Sequence, residues 1–212
     1  MTKSHKRAPE MNLSRRSFLR GSTLATAASI SMTDAVSALA AEVEAVDQGP
    51  AIMGPNALST VLKINGVSRR AQVEPRTTLA EVLRENLGLM GTKVACNRGA
   101  CSACTVWLDR EPILSCTTLA IDVGSREVTT IEGLAAADGA LHPVQEAFIA
   151  HDALQCGFCT PGMVMSCAAL LARTASPNIE DVKEAISGHL CRCGSYPHVI
   201  AATLAAASVR RG

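Results

Sequence analysis

Eight of the nine cysteines of this 212-residue chain stand in two quartets. The first is Cys96, Cys101, Cys104 and Cys116, spaced C-x4-C-x2-C-x11-C. The second is Cys156, Cys159, Cys191 and Cys193, spaced C-x2-C…C-x-C. Four thiolates held together bind either a zinc ion or an iron–sulfur cluster. A C-x4-C-x2-C triplet with a distant fourth cysteine is the plant-type spacing of a [2Fe–2S] centre, whereas zinc sites use paired C-x2-C units and often histidine. The first quartet therefore reads as a [2Fe–2S] site. The second is less specific, because its spacing also suits zinc; beside the first it reads as a second [2Fe–2S] site. Two one-electron centres in one chain predict an electron carrier, with substrate chemistry done elsewhere.

The surroundings of the first quartet agree with this reading. Gly91, Gly99, Ala95, Ala100, Ser102 and Ala103 are small. Small residues let backbone N–H groups approach the cluster's sulfurs, which lowers their negative charge and raises the potential. Cys167, the ninth cysteine, sits in an apolar helical stretch and reads as a buried structural thiol. His142, His151, His189 and His198 read as surface or capping residues, and the two loop histidines of a Rieske site are absent. The sequence holds no phosphate-binding glycine loop and no nucleophile–base pair, so no catalytic residue is assigned. The chain itself is expected to bind no flavin, nicotinamide or small-molecule substrate. Its net charge of +1 offers no basic field for nucleic acid.

The N-terminus carries Ser14-Arg15-Arg16-Ser17-Phe18-Leu19-Arg20, a twin-arginine export pattern. A basic stretch precedes it, and an uncharged run, Gly21 to Thr33, follows. Ala38-Leu39-Ala40 offers a cleavage site. The run is too short for a membrane span, which needs about 20 residues. Residues 1–40 are read as the signal, and the expected location is the periplasm. Of 20 basic and 19 acidic residues, six and two lie in that segment, leaving 14 and 17, a net charge of −3. An oxidising compartment would admit disulfides as another use for the cysteines. The twin-arginine route, however, carries proteins already folded around their cofactors, which suits clusters better.

The elements that must position the quartets follow. Residues 41–57 read as a linker. TVLKI, Asn65-Gly66 and VSRRAQV read as a β-hairpin with a type I′ turn. Thr78 and Glu81 form a capping box for a helix with Leu79, Val82, Leu83 and Leu87 on one face, ended by Gly88. CTVWLD and PILSC read as strands around an Asp109–Pro112 turn, and residues 127–131 as another strand. Residues 58–134 thus form a candidate β-grasp, ferredoxin-like domain. Helices are expected from Pro143 to His151, from a Thr160-Pro161 start, after an Asn178 cap with Ile179, Val182 and Ile186 apolar, and from Pro197. They make residues 138–210 a candidate four-helix domain, with each pair of the second quartet beside a helix start. The fold class is α+β. Aromatics are only 2% of the chain, so Ala, Val, Leu and Ile must fill both cores.

The segments TKVACNRGACSACTVWLD, ILSCTTLA, VTTIEGL, LHPVQEAFIAHDALQCGFCTPGMVMS and HLCRCGSYPHVIAA resemble the [2Fe–2S] subunit of the molybdenum hydroxylases, the xanthine dehydrogenase/aldehyde oxidoreductase superfamily. The resemblance covers roughly residues 58–208. With the twin-arginine pattern it is nearest to the iron–sulfur subunits of periplasmic aldehyde oxidoreductases. It implies a β-grasp domain followed by a four-helix domain, a large partner holding a molybdopterin-type cofactor, and a medium FAD-binding partner in many members. It implies that the large subunit oxidises aldehydes to carboxylic acids. Electrons would leave through the cluster on Cys156, Cys159, Cys191 and Cys193, then that on Cys96, Cys101, Cys104 and Cys116, then reach FAD or another acceptor. Gln155 matches the position that hydrogen-bonds the pterin, and Cys193 lies on the same path. CRCGSY departs here from the CRCTGY of many members, which leaves partner geometry and substrate group open. The same role in a hydroxylase of N-heterocycles remains a competing reading. So do a freestanding ferredoxin-like carrier and a zinc or disulfide module.

Overall fold

A computed structural model describes residues 54–209; the export signal and most of the linker read from the sequence lie outside them. Strands β1 (Leu58–Ile64) and β2 (Val67–Val73) pair antiparallel across Asn65-Gly66, both at positive φ as a type I′ turn requires. Thr78 caps α1 (Leu79–Glu81) with the full capping box. The expected α-helix does not continue. Val82–Asn86 is a π-helix, with Leu87 N–H bonded to Val82 C=O five residues back. Its wider turn still buries Leu79, Val82 and Leu83, and Gly88 follows at positive φ.

Strands β3 (Thr105–Leu108) and β4 (Glu111–Leu114) flank a two-residue turn, Asp109-Arg110, tighter than the Asp109–Pro112 turn expected. Pro112 instead lies within β4 opposite Trp107. It is tolerated because β4 is an edge strand, where a missing N–H leaves no ladder broken. β5 (Glu127–Thr129) runs parallel to β1 and antiparallel to β3, which gives the order β2-β1-β5-β3-β4. The π-helix region crosses one face of this sheet, where Leu62, Ile64, Val73, Val106, Leu108 and Val128 close on Leu79, Val82 and Leu83. This is the β-grasp arrangement.

The helices are α2 (Pro143–Ala150), α3 (Thr160–Arg173), α4 (Ile179–Ala185) and α5 (Tyr196–Val209). His142 caps α2, its Nδ1 accepting from Val144 N–H, and Asn178 caps α4 with a capping box closed by Asp181. α3 starts one residue earlier than expected: Cys159 takes the N-cap position and Thr160 is the first helical residue. Ile179 is exposed rather than apolar-face core, whereas Val182 and Ile186 are buried. Phe148, Met163, Cys167, Leu171 and Val199 form the second core, and Ala202, Ala206 and Ala207 let α5 pack closely.

α3 also packs on β3. Trp107 donates its indole N–H to Met165 C=O at 2.9 Å. Gly162 lies so near the first cysteine loop that a Cβ there would sit 2.5 Å from Ser102 C=O. The sheet and the helices thus share a direct contact at the foot of the Cys96–Cys104 loop.

Candidate metal centres

The first quartet lies on a loop with no helix or strand between residues 91 and 104, returning through Cys116 just after β4. Tethers hold the loop at its root. Gly91 N–H donates to Glu132 Oε1 at 2.7 Å, and a side chain at Gly91 would collide with Glu132 and Ile131. Thr130 Oγ1 donates to the other oxygen of Glu132, and the turn residue Asn65 bonds both the amide and the hydroxyl of Thr130. Arg84 from the π-helix donates to the carbonyls of Met90 and Thr92.

Within the loop, Gly99 N–H donates to Cys116 Sγ and Ala100 N–H to Cys96 Sγ, each at 3.3 Å. Asn97, Gly99 and Ser102 take positive φ, which turns successive amides inward. The N–H groups of Arg98 and Ala100 and the side chain of Cys101 hold the Cys96 thiol down at about 7. Burial, with Cys116 alongside, pushes Cys104 up to about 11. Cys101, Cys104 and Cys116 are buried and Cys96 is half-buried.

The second quartet joins two loops. Cys159 sits at the start of α3, and Cys191 and Cys193 lie just before α5. Cys159 and Cys191 interact through their thiols; burial first, then Cys191, pushes Cys159 up to about 12. Burial also acts to raise Cys191, but the hydroxyl and amide of Ser195 outweigh it and bring that thiol to about 7. Ser195 Oγ is 3.2 Å from Cys191 Sγ. Tyr196 OH accepts from Cys191 N–H at 2.8 Å and donates to His189 C=O at 2.9 Å, clamping the loop. Gln155 Nε2 donates to Cys193 C=O at 3.2 Å, with Gln155 and Cys156 at the surface.

Among the described residues no three candidate ligands converge on a point for a single ion. The thiols approach instead as pairs: Cys96 with Cys101, Cys104 with Cys116, and Cys159 with Cys191. A two-iron cluster takes its four thiolates as pairs, two to each iron. In the first quartet the donor set, the pairing and the amides already aimed at sulfur fit that group; in the second, Cys159 and Cys191 supply one such pair.

The two loops are bonded to each other. Leu190 N–H donates to Cys101 C=O at 3.2 Å, and Ser102 Oγ donates to Gly188 C=O at 2.9 Å. Cys167 is fully buried in α3, and burial pushes its thiol up to about 12. His189 corrects the surface reading: it is buried, its Nε2 pairs with Ser166 Oγ at 2.8 Å, and burial lowers its pKa to about 4. The spacing of the cysteines did not point to Ser195, Tyr196, Glu132 or His189. Only the position of Ser195, two residues past a thiolate pair, was a signal.

The comparisons with known proteins agree with this geometry. Residues 62–121 match the 2Fe-2S iron-sulfur cluster binding domain, and residues 130–204 the [2Fe-2S] binding domain. The chain is 39% identical over 208 residues to the aldehyde oxidoreductase iron-sulfur-binding subunit PaoA of Escherichia coli K12, covering 91% of this chain and 87% of that one. The chain belongs to the [2Fe–2S] subunits of the molybdenum hydroxylase superfamily. Another member, the nicotine 6-hydroxylase small subunit of Paenarthrobacter nicotinovorans, is 47% identical over 68% of this chain and 86% of its own. Among solved structures, quinoline 2-oxidoreductase from Pseudomonas putida 86 superposes with a TM-score of 0.70 at 42% identity, over 74% of this chain and 98% of that one. Aldehyde oxidoreductase from Desulfovibrio desulfuricans gives 0.69 at 43% identity, over 73% of this chain and 17% of that much longer chain.

Proposed function

We propose that this chain is the electron-transfer subunit of an exported, molybdenum-dependent aldehyde oxidoreductase. Cys156, Cys159, Cys191 and Cys193 hold the [2Fe–2S] cluster that receives electrons from a molybdopterin-type centre in a large partner. Cys96, Cys101, Cys104 and Cys116 hold the cluster that passes them on, to FAD in a medium partner or to another acceptor. Gln155 and Cys193 face the partner's pterin. When bound, each cluster supplies a one-electron step without reacting with substrate.

The observation that carries this reading is the bond from Leu190 N–H to Cys101 C=O. Leu190 precedes a ligand of one site, and Cys101 is a ligand of the other. One hydrogen bond therefore completes an otherwise covalent path between the two centres, as a relay needs and a pair of structural metal sites does not. Exposed Leu154, Phe158 and Leu190 flank the second quartet and offer an apolar surface for the large partner. The aldehyde reading is preferred to N-heterocycle hydroxylation on the length of the match alone, since identity is 39% to the aldehyde oxidoreductase subunit and 47% to the nicotine hydroxylase subunit. The match to the aldehyde oxidoreductase subunit runs over 208 residues, against 143 for the nicotine hydroxylase subunit.

Elemental analysis of the protein purified with the subunits it retains tests this. The reading expects about four iron per chain, as two [2Fe–2S] sites require, molybdenum alongside, and bleaching of both clusters by an aldehyde. Iron without molybdenum or a large partner would make the chain a freestanding carrier; zinc would overturn the cysteine assignment. Periplasmic location rests on the twin-arginine pattern alone. Replacing Arg15 and Arg16 by Lys should leave the loaded protein in the cytoplasm.

A further inference from the structure

Ser195 immediately precedes α5, where a serine hydroxyl ordinarily accepts a bond from a free amide of the first helical turn. Here the hydroxyl lies 3.2 Å from Cys191 Sγ instead. Ser195 is only 2% exposed, so water does not compete for it. Once Cys191 ligates iron as a thiolate, its sulfur has no proton to give, and the hydroxyl must be the donor. Backbone donors also serve this sulfur, from Ser195 and Cys193, but the hydroxyl is a donor that a side-chain change can remove by itself. The first quartet differs: Cys116 and Cys96 take their sulfur bonds from the amides of Gly99 and Ala100, which no substitution short of proline removes.

A hydrogen bond to a ligating sulfur draws charge from the cluster and favours the reduced, more negative state. We propose that the Ser195 hydroxyl raises the reduction potential of the second-quartet cluster, and so sets how strongly that cluster draws electrons relative to the first. This deepens the relay reading and rests on it. Ser195 is a positioning and tuning residue, since it acts on the cluster only through Cys191.

The test is a redox titration of the intact complex followed by electron paramagnetic resonance, with iron counted in each sample. Cys101→Ser identifies which signal belongs to the first quartet. Ser195→Ala should retain the wild-type iron content and move the midpoint of the second-quartet signal to a more negative value. The expected size is about tenfold in electron partition between the two clusters, about 59 mV for one electron. The first-quartet midpoint should stay in place. Ser195→Thr, which keeps the hydroxyl, should stay near wild type. An unmoved midpoint in Ser195→Ala at full iron content would sink the proposal, as would equal shifts in Ala and Thr. Loss of the second signal in Ala but not in Thr would also overturn it, by making the hydroxyl a structural brace. A wild-type complex without two [2Fe–2S] signals would instead refute the relay reading beneath it.

Discussion

A thiolate's partners decide whether it serves a cluster or a core. Cys96 and Cys116 each receive an inward-turned amide, at 3.3 Å, in a loop of small residues. Cys167 has only apolar packing and Thr203 around it. The two kinds should respond differently to substitution. Cys101→Ser should remove the first-quartet paramagnetic signal and block reduction of the acceptor, while substrate still reduces molybdenum; both signals surviving would mean the first quartet is misassigned. Cys167→Ala should keep the full iron content and lower stability by about 1 kcal/mol, the scale of a small core deletion. Iron loss in that variant would promote Cys167 to the metal machinery. At this scale the sequence was legible in its cysteines, because a cluster imposes spacing on the residues that would hold it. It was a poor guide to Ser195 and His189. Whether a serine caps a helix or serves a sulfur, and whether a histidine is buried, depends on the path of chains distant in sequence.

The hairpin and the helix caps were readable because each rests on residues three or fewer apart: Asn65-Gly66, Thr78 with Glu81, Asn178 with Asp181. The π-helix was not, since Val82, Leu83 and Leu87 repeat as an α-helix would. What selects the wider turn is closure on the sheet and the bonds that follow it, including Leu89 N–H to Leu83 C=O. Pro112 likewise looked like a turn residue, and only the edge position of β4 makes it a strand residue. Gly162 shows an element placed by what it lacks. Read from sequence it is a helical glycine two residues after Thr160; in the fold it is where α3 meets backbone of the first cysteine loop. Gly162→Ala has nowhere to put its methyl, because Ser102 C=O and Ala103 C=O are main-chain atoms that cannot swing aside. Overpacking of this kind costs about 1–3 kcal/mol. Melting followed by circular dichroism should show a Tm fall of roughly 2–4 °C for each kcal/mol. The first-quartet signal should broaden, since the displaced atoms adjoin Cys101 and Cys104. A variant as stable as wild type would mean the loop is looser than its close approach to α3 implies.

Across the whole molecule, order is unevenly founded. β1 and β2 share a seven-residue ladder, and their inward side chains join the sheet core. The segment between residues 91 and 104 has no ladder and no helix. Its root is tied by Glu132 and Arg84, but its tip is held by amides bonded to Cys96 and Cys116 sulfurs. Those sulfurs are fixed in space only as firmly as whatever they bind. Local stability should therefore follow the metal. Stripping iron with a chelator under reducing conditions should speed hydrogen exchange at the Gly99 and Ala100 amides by a large factor. Exchange in β1 and β2 should hardly change, and the Leu190 amide, donated to Cys101 C=O, should respond with the loop rather than with α5. Mass-spectrometric exchange at peptide resolution distinguishes these regions. Uniform loss of protection would mean that the cluster supports the sheet core as well. Undisturbed protection at Gly99 and Ala100 would mean that the loop is preformed, and that the amides wait for the cluster rather than being placed by it.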